Sequence, residues 1–402
     1  MSIAIYTLTS ALHDEVAVNE ATREFLDGLG VEFEFKGSDY SSYGCADLCL
    51  IYVRTGGTEG VFRGLQDELL ARSSRPFYLL TSGKANSLAA SMEILSYLRQ
   101  RGLKGEIIHG SADYVTARIE LLARVEAARR KLAGQRLGII GKPSDWLISS
   151  LVCPAEVKAS LGIELVEIDI EEVVRAMEAV AEPSEAECAA YRELALSEAV
   201  RKSLPGALRM YGALKKVIAD YGLNGFTIRC FDLLDVLHNT SCLALAMLNA
   251  EGFVAGCEGD VPTMLSMAIC RAVTGVSGFQ ANPSRINPVT GEMLVAHCTI
   301  PLDMCKRYTL DTHFESGIGV GVHGCMVAQP VSIFKVSGDV KRHFVAEGEL
   351  VRNLAEPNLC RTQQVIRLDD ASQAGYFLTD PIGNHHVVVP GRVKAVLDEL
   401  LG

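Results

Sequence analysis

Short apolar runs and amphipathic stretches take turns through the first third of the chain, and this alternation constrains the fold more than any other feature. The runs Ile3–Leu8, 31–35, Leu48–Val53, Phe77–Leu80 and 105–109 each have the length and content of a buried strand. Helical spacing is expected between them: from about Asp14, through Leu65 and Leu69, from about Ser87, and through Ile119, Leu122 and Val125. Strands that run parallel need a long crossover, and a helix supplies it, so the pattern predicts a parallel sheet covered on both faces. The loops Gly56-Gly57-Thr58-Glu59 and 81–87 fall at strand ends. Their small polar residues suit turns and caps, or contacts to hydroxyls and anions.

Near Ala133-Gly134 the alternation restarts, with strands at 137–140, Glu164–Ile168 and 225–230. Pro183-Ser184 followed by Glu187 is a capping box; the helix it opens is expected to end before Pro205, and a second helix through Leu208, Leu214 and Ile218 to close at Gly222. Beyond His297 the text turns mostly to strand: 317–322, 331–336, 343–347, 364–368 and 385–389, with a closing helix at 393–401. The expected architecture is therefore α/β, two doubly wound parallel-sheet domains at 1–133 and 134–276 followed by a β-rich C-terminal domain at 277–402. Gly319, Gly321 and Gly324 have the spacing of a dinucleotide fingerprint, but no helical pattern follows them, so they read as close backbone approaches in sheet.

Composition narrows the partners. A formal charge of -11 over 402 residues, with no lysine and arginine cluster beside aromatics, argues against nucleic acid. No apolar run approaches the roughly 18 residues of a membrane span. The N-terminal text lacks a basic stretch and a cleavage site, so a cytoplasmic protein is expected. Twelve cysteines without a C-x-x-C pair suit a reduced compartment.

The chemistry concentrates in 253–299. An apolar strand at 253–257 is broken by Glu258-Gly-Asp260 just before a helix that opens on Val261-Pro262; a strand at 276–281, the turn-rich Asn282-Pro-Ser284-Arg285 and a returning strand with His297 follow. One β-α-β-hairpin unit thus brings Glu258, Asp260, Asn282 and His297 towards one sheet end, where ligands bind in open α/β folds. A further pair, His385-His386, follows Gly383-Asn384, and alternation along a strand sends the two to opposite faces. Carboxylates with histidines and no cysteine pair suit Mn²⁺, Mg²⁺ or Co²⁺ better than structural zinc. Asp260 is also well placed as a helix cap, and His297 as a buried core histidine. Trp146, the single tryptophan, stands in a strand-end loop; Thr312-His313-Phe-Glu315-Ser316 is another polar cluster suited to hydroxyl contacts.

Cys257-Glu258-Gly-Asp260-Val-Pro, then Gly278-Phe-Gln-Ala-Asn282-Pro-Ser284-Arg285, Ala296-His297-Cys298 and Gly383-Asn-His385 together resemble the L-fucose/L-arabinose isomerase family. The resemblance implies an aldose-ketose isomerase that acts on a small sugar through an enediol, uses a divalent metal (usually Mn²⁺), and assembles as a homotrimer or hexamer. It matches Glu258 to the family's acidic ligand and catalytic residue and His385, after the Gly-Asn turn, to its late histidine ligand; His297 and His386 are further candidate ligands, and Asp260 and Asn282 further catalytic candidates. Asn282 stands where the fucose enzymes carry a second acid, and an amide carries no proton in catalysis. This departure leaves room for an altered, acidic or sulfonated sugar, or for a sugar-binding protein that kept the fold without the chemistry. Arg285, Ser284, Trp146 and His313 are the expected substrate contacts, with Lys142 a second cation at a strand end.

Overall fold

The computed structural model describes the backbone of residues 1–402 and every side chain except those of Glu15 and Asp235. It forms two compact units, 1–130 and 131–402. In the first, strands β1 (Ile3–Leu8), β2 (Glu34–Gly37), β3 (Leu48–Val53), β4 (Phe77–Leu80) and β5 (Gly105–Ile108) make a parallel sheet in the order β2-β1-β3-β4-β5. Alternation along β1 builds a core on each face: Ala4, Tyr6 and Leu8 enter one with Phe62, Phe77 and Ile94, and Ile5 enters the other with Leu80, Ile119 and Leu122. The two strand-end loops are spent on themselves. Thr55 accepts from the Ser10 backbone, Thr58 donates to the Thr55 carbonyl, and the Thr81 and Ser87 hydroxyls lie 2.7 Å apart, all buried.

The second unit joins a parallel sheet to a barrel. Strands β6 (Arg136–Ile140), β7 (Glu164–Ile168), β8 (Gly225–Ile228) and β9 (Val254–Gly256) pair in the order β7-β6-β8-β9. After them, β10 (Phe279–Ile286) and β11 (Glu292–His297) are followed by a separate antiparallel pair, β12 (Arg307–Asp311) and β13 (Gly321–Cys325). Strands β14 (Gln329–Val336), β15 (His343–Leu354), β16 (Thr362–Leu368) and β17 (His386–Pro390) then close a barrel in the order β10-β11-β16-β15-β14-β17. Both expected parallel sheets and the β-rich C-terminal region are present.

The helix Val261–Thr274 links sheet to barrel: it packs on β9 on one side and on β14 and β17 on the other. Apolar residues all round it, from Met264 and Leu265 to Ile269 and Ala272, are buried, as that position requires. Among the described residues no helix is long and apolar enough to cross a membrane.

Three local expectations are corrected. Pro205 does not end a helix; it lies inside Glu198–Tyr221, where Val200, Leu204, Ala207 and Leu208 are buried in the core. That burial outweighs a proline penalty of about 3 kcal/mol. Asn282 to Arg285 is not a turn but the middle of β10, and the irregular register between Pro283 and Arg285 is the bulge that lets a strand carry proline. The stretch 317–320 is a bend before β13, pressed so closely against Thr240 that a Cβ on Gly319 would meet its side-chain oxygen at 2.5 Å.

Candidate metal centre

Strand β9 ends at Gly256, and two successive left-handed residues, Glu258 (φ 63°) and Gly259 (φ 67°), swing the chain into the helix Val261–Thr274. A side-chain-bearing residue there costs about 1–3 kcal/mol. Its neighbours hold it: Gly259 N–H donates to the Ile228 carbonyl, the Glu258 carbonyl accepts from Ser144 N–H, and Gln280 of β10 bonds both the N–H and the carbonyl of Cys257. Gly259 is required for space too, since a Cβ would come within 2.4 Å of the Lys142 carbonyl oxygen.

The turn delivers Glu258 to the end of the barrel, against His297 at the end of β11 and His385 just before β17. Glu258 Oε1 stands 3.5 Å from His297 Nε2 and 3.4 Å from His385 Nε2, and the three ligand atoms lie within 4.8 Å of one another. Glu258 Oε2 accepts a 2.7 Å hydrogen bond from Trp146 Nε1–H.

Asp260 sets the direction of His385. Its carboxylate caps the helix, accepting from Thr263 N–H at 2.8 Å, and accepts from His385 Nδ1–H at 2.9 Å. Lys335 Nζ, fully buried on β14, lies 3.4 Å from both Asp260 oxygens and donates to Thr263 Oγ1 at 2.6 Å. Because a carboxylate only accepts, Nδ1 keeps its proton in either form of the ring, and loss of the second proton frees a lone pair on Nε2 towards Glu258. That Nε2 is buried and makes no hydrogen bond. An orphaned nitrogen facing a carboxylate and a second imidazole, at the spacing of neighbouring ligands around an ion with bonds of about 2.1 Å, fits a divalent metal.

Electrostatics agree with a site that attracts cations. Burial pushes the Glu258 carboxyl up, but the charge of His385 and the close approach of the His297 and His385 imidazoles outweigh it and hold the group well below the usual range. Burial likewise opposes ionisation of Asp260, and Lys335 with His385 reverses it. For His385, burial disfavours the imidazolium, yet Glu258 and Asp260 push the ring up to about 9. His297, with Nδ1 2.9 Å from Thr299 Oγ1, is pushed down by burial.

Residues 154–277 match the L-arabinose isomerase central domain. A sulfoquinovose isomerase from Clostridium sp. (strain MSTE9) is 26% identical over 317 residues, 71% of this chain and 66% of its own length, just under two thirds. Sulfoquinovose isomerases of Priestia aryabhattai and Priestia megaterium are each 24% identical over 334 residues, 79% of this chain and 74% of theirs. The chain is thus similar to L-fucose/L-arabinose isomerase-like proteins.

Within that isomerase-like frame the remaining sequence candidates separate. His386 does not join the cluster. It pairs across from Ala281, donates from Nδ1 to the Asn384 carbonyl at 3.1 Å, and accepts from the Tyr376 hydroxyl at 3.0 Å; burial and Lys335 push it down to about 3. The Tyr376 oxygen also accepts from Ile382 N–H, so His386 holds the turn that presents His385. Asn282 Oδ1 accepts from Asn384 Nδ2 at 3.3 Å. Asn282, Ser284 and Arg285 line a cleft of about 540 Å³ with Phe377, Asn384 and His386, and Arg285 is ion-paired to Glu356. Trp146 does reach the cluster, as the hydrogen bond to Glu258 shows, and its half-exposed ring meets Phe231 edge-on at 4.9 Å. Phe231 in turn meets His313 at 5.6 Å. His313 Nδ1 accepts from Ser316 N–H at 3.4 Å, which leaves the proton of the neutral ring on Nε2; burial pushes its pKa down to about 4.

Sequence reasoning missed Gln280, Lys335 and Tyr376. Only Lys335 carried a signal, a lysine inside the apolar strand Val-Ser-Ile-Phe-Lys-Val.

Three outcomes are expected. Glu258→Gln and His385→Ala should each lower metal occupancy of the purified protein strongly while His386→Ala lowers it modestly; equal, small losses for the two histidines would refute the ligand set. In the metal-free protein His385 keeps its proton up to about pH 9, and metal must displace that proton. Apparent affinity in calorimetric titrations should therefore rise as pH climbs towards 9, about tenfold per unit, and level off above it. Lys335→Met leaves Asp260 buried without its counter-ion and should lower the free energy of unfolding in denaturant by about 3–5 kcal/mol.

Proposed function

We propose that this chain is a divalent-metal-dependent aldose-ketose isomerase acting on a small acidic sugar, a sulfonated aldose foremost, through an enediol. The observation that carries the reading is the buried convergence of Glu258, His297 and His385, with the His385 lone pair aimed into it by Asp260. The matches to the L-arabinose isomerase central domain and to sulfoquinovose isomerases support the reaction class, and the latter support the sulfonate. Mn²⁺ is the preferred ion, with Mg²⁺ and Co²⁺ as substitutes. The reading extends to a homo-oligomer, a trimer or hexamer, in the cytoplasm.

A divalent ion held by Glu258, His297 and His385 would supply Lewis-acid polarisation of the oxygens on C1 and C2 of the sugar. The chain's own residues do the rest. Asp260 and Lys335 keep His385 in one tautomer, Trp146 fixes the second oxygen of Glu258, and Phe231 with Trp146 forms an apolar wall at the cluster. His313 offers an Nε2–H donor on the far side of Phe231, suited to a sugar hydroxyl. In an acidic protein, Arg285 is the cation we assign to the acidic group of the sugar, in exchange for its pairing with Glu356.

A second reading, a sugar-binding protein without turnover, is motivated by Asn282 alone. Assay of a panel of neutral and sulfonated aldoses, with chelator and after Mn²⁺ readdition, separates the two. The expected result is ketose formation from a sulfonated aldose, abolished by chelator and restored by Mn²⁺, with solvent deuterium at C1 when the reaction runs in D₂O. Binding of the sugar without product under all conditions would favour the second reading.

A further inference from the structure

Away from the metal centre, one cleft carries a charge opposite to that of the molecule. It measures about 810 Å³, lies along the antiparallel pair β12 and β13 and the end of β15, and is lined by Lys306, Arg307 and His323 with no carboxylate among its lining residues. The chain as a whole has a formal charge of -11. In the clefts beside Lys142 and Asn282 the arginines are neutralised, Arg229 by Asp145 and Asp232 and Arg285 by Glu356. Among the described residues, by contrast, the side chains of Lys306, Arg307 and His323 make no hydrogen bond and no ion pair. A cleft lined by one sign of charge focuses its field and concentrates anions.

The two-stranded ribbon sets the spacing of these groups. Alternation turns Leu310 and Val322 into the core and puts Arg307, Thr309, His323 and Cys325 on the opposite face. Arg307 stands across from Cys325 and Thr309 across from His323, so Arg307 and His323 are diagonal neighbours with Cβ atoms about 7 Å apart, a gap that one tetrahedral anion can bridge. Lys306 enters the same strand with its N–H held by the Cys325 carbonyl at 2.9 Å. The ribbon is fixed from behind: Gly324 N–H donates to Thr362 Oγ1 at 3.0 Å, and the Thr362 hydroxyl donates to the Val322 carbonyl at 2.7 Å. Asn353 bonds both the N–H and the carbonyl of Met326, at 3.1 and 2.9 Å. Donors on a scaffold held in this way lose little freedom when a ligand arrives. Met326 and Leu354 supply an apolar wall for a small carbon body.

We propose that this cleft is a binding site for a small phosphate monoester, separate from the metal centre and independent of the isomerase reading. Two permanent cations match the charge of about -1.5 to -2 that a phosphate monoester carries at neutral pH. A sulfonate or a carboxylate, with a single charge, leaves one cation unmatched. Arg307 offers a planar fork of donors suited to two oxygens of one phosphate, Lys306 a point charge, and His323 a ring N–H.

Calorimetric titration of the full chain near neutral pH, with glucose 6-phosphate as the probe and methanesulfonate and glucose as controls, tests the site. The phosphate ester should bind, and the two controls at least about tenfold more weakly. Arg307→Met and Lys306→Met should each weaken the ester by about tenfold or more, with Mn²⁺ affinity kept within about twofold as the sign of an intact second unit. Glu258→Gln, which removes a candidate metal ligand, should leave the affinity for the ester unchanged. No binding of the ester, or binding that is lost in Glu258→Gln and kept in Arg307→Met, overturns the site. Methanesulfonate bound as tightly as the ester overturns the assignment to phosphate.

Discussion

Asp260 is buried and charged at once, and much of the second unit is arranged around that fact. An unpaired ion taken out of water costs several kcal/mol, so the carboxylate persists only where donors surround it. The donors come from three elements: the first turn of the helix Val261–Thr274, Lys335 of β14, and His385 before β17. Sheet and barrel are thereby pinned to one carboxylate. The same contact decides which nitrogen of His385 holds the proton, so a constraint of folding becomes a constraint on chemistry.

The neighbouring turn shows a second coupling of stability to function. Glu258 occupies a left-handed conformation that suits glycine, and the cost is met by hydrogen bonds that tie residues 257–259 to Ser144, the Ile228 carbonyl and Gln280. Gln280 belongs to the barrel, yet it holds the backbone at the end of the sheet. A rigid Glu258 follows, with one oxygen fixed by Trp146 and the other presented to two imidazoles. Preorganised ligands of this kind lose little freedom when an ion arrives.

The candidate ligand cluster of Glu258, His297 and His385 leaves Asn282 outside it. The Asn282 amide bonds to Asn384 and opens onto the cleft shared with Arg285.

Strand-helix alternation, an unbroken apolar helix after Asp260 and the mostly extended text past His297 determined the two parallel sheets and the β-rich C-terminal region, because local periodicity reports which face of each element is buried. The same text marked Glu258, His297 and His385 through their residue types beside strand ends. Tertiary structure alone decided the rest. His385 rather than His386 faces Glu258 because the strand alternates, and the neighbours of each face, Asp260 on one side and Tyr376 on the other, come from far along the chain. Pro205 stays helical and Asn282 to Arg285 stays in a strand because long-range packing outweighs local preference. Lys335 and Gln280 acquire meaning only when barrel closure sets them beside a turn some tens of residues away, and no periodicity within a strand carries that information.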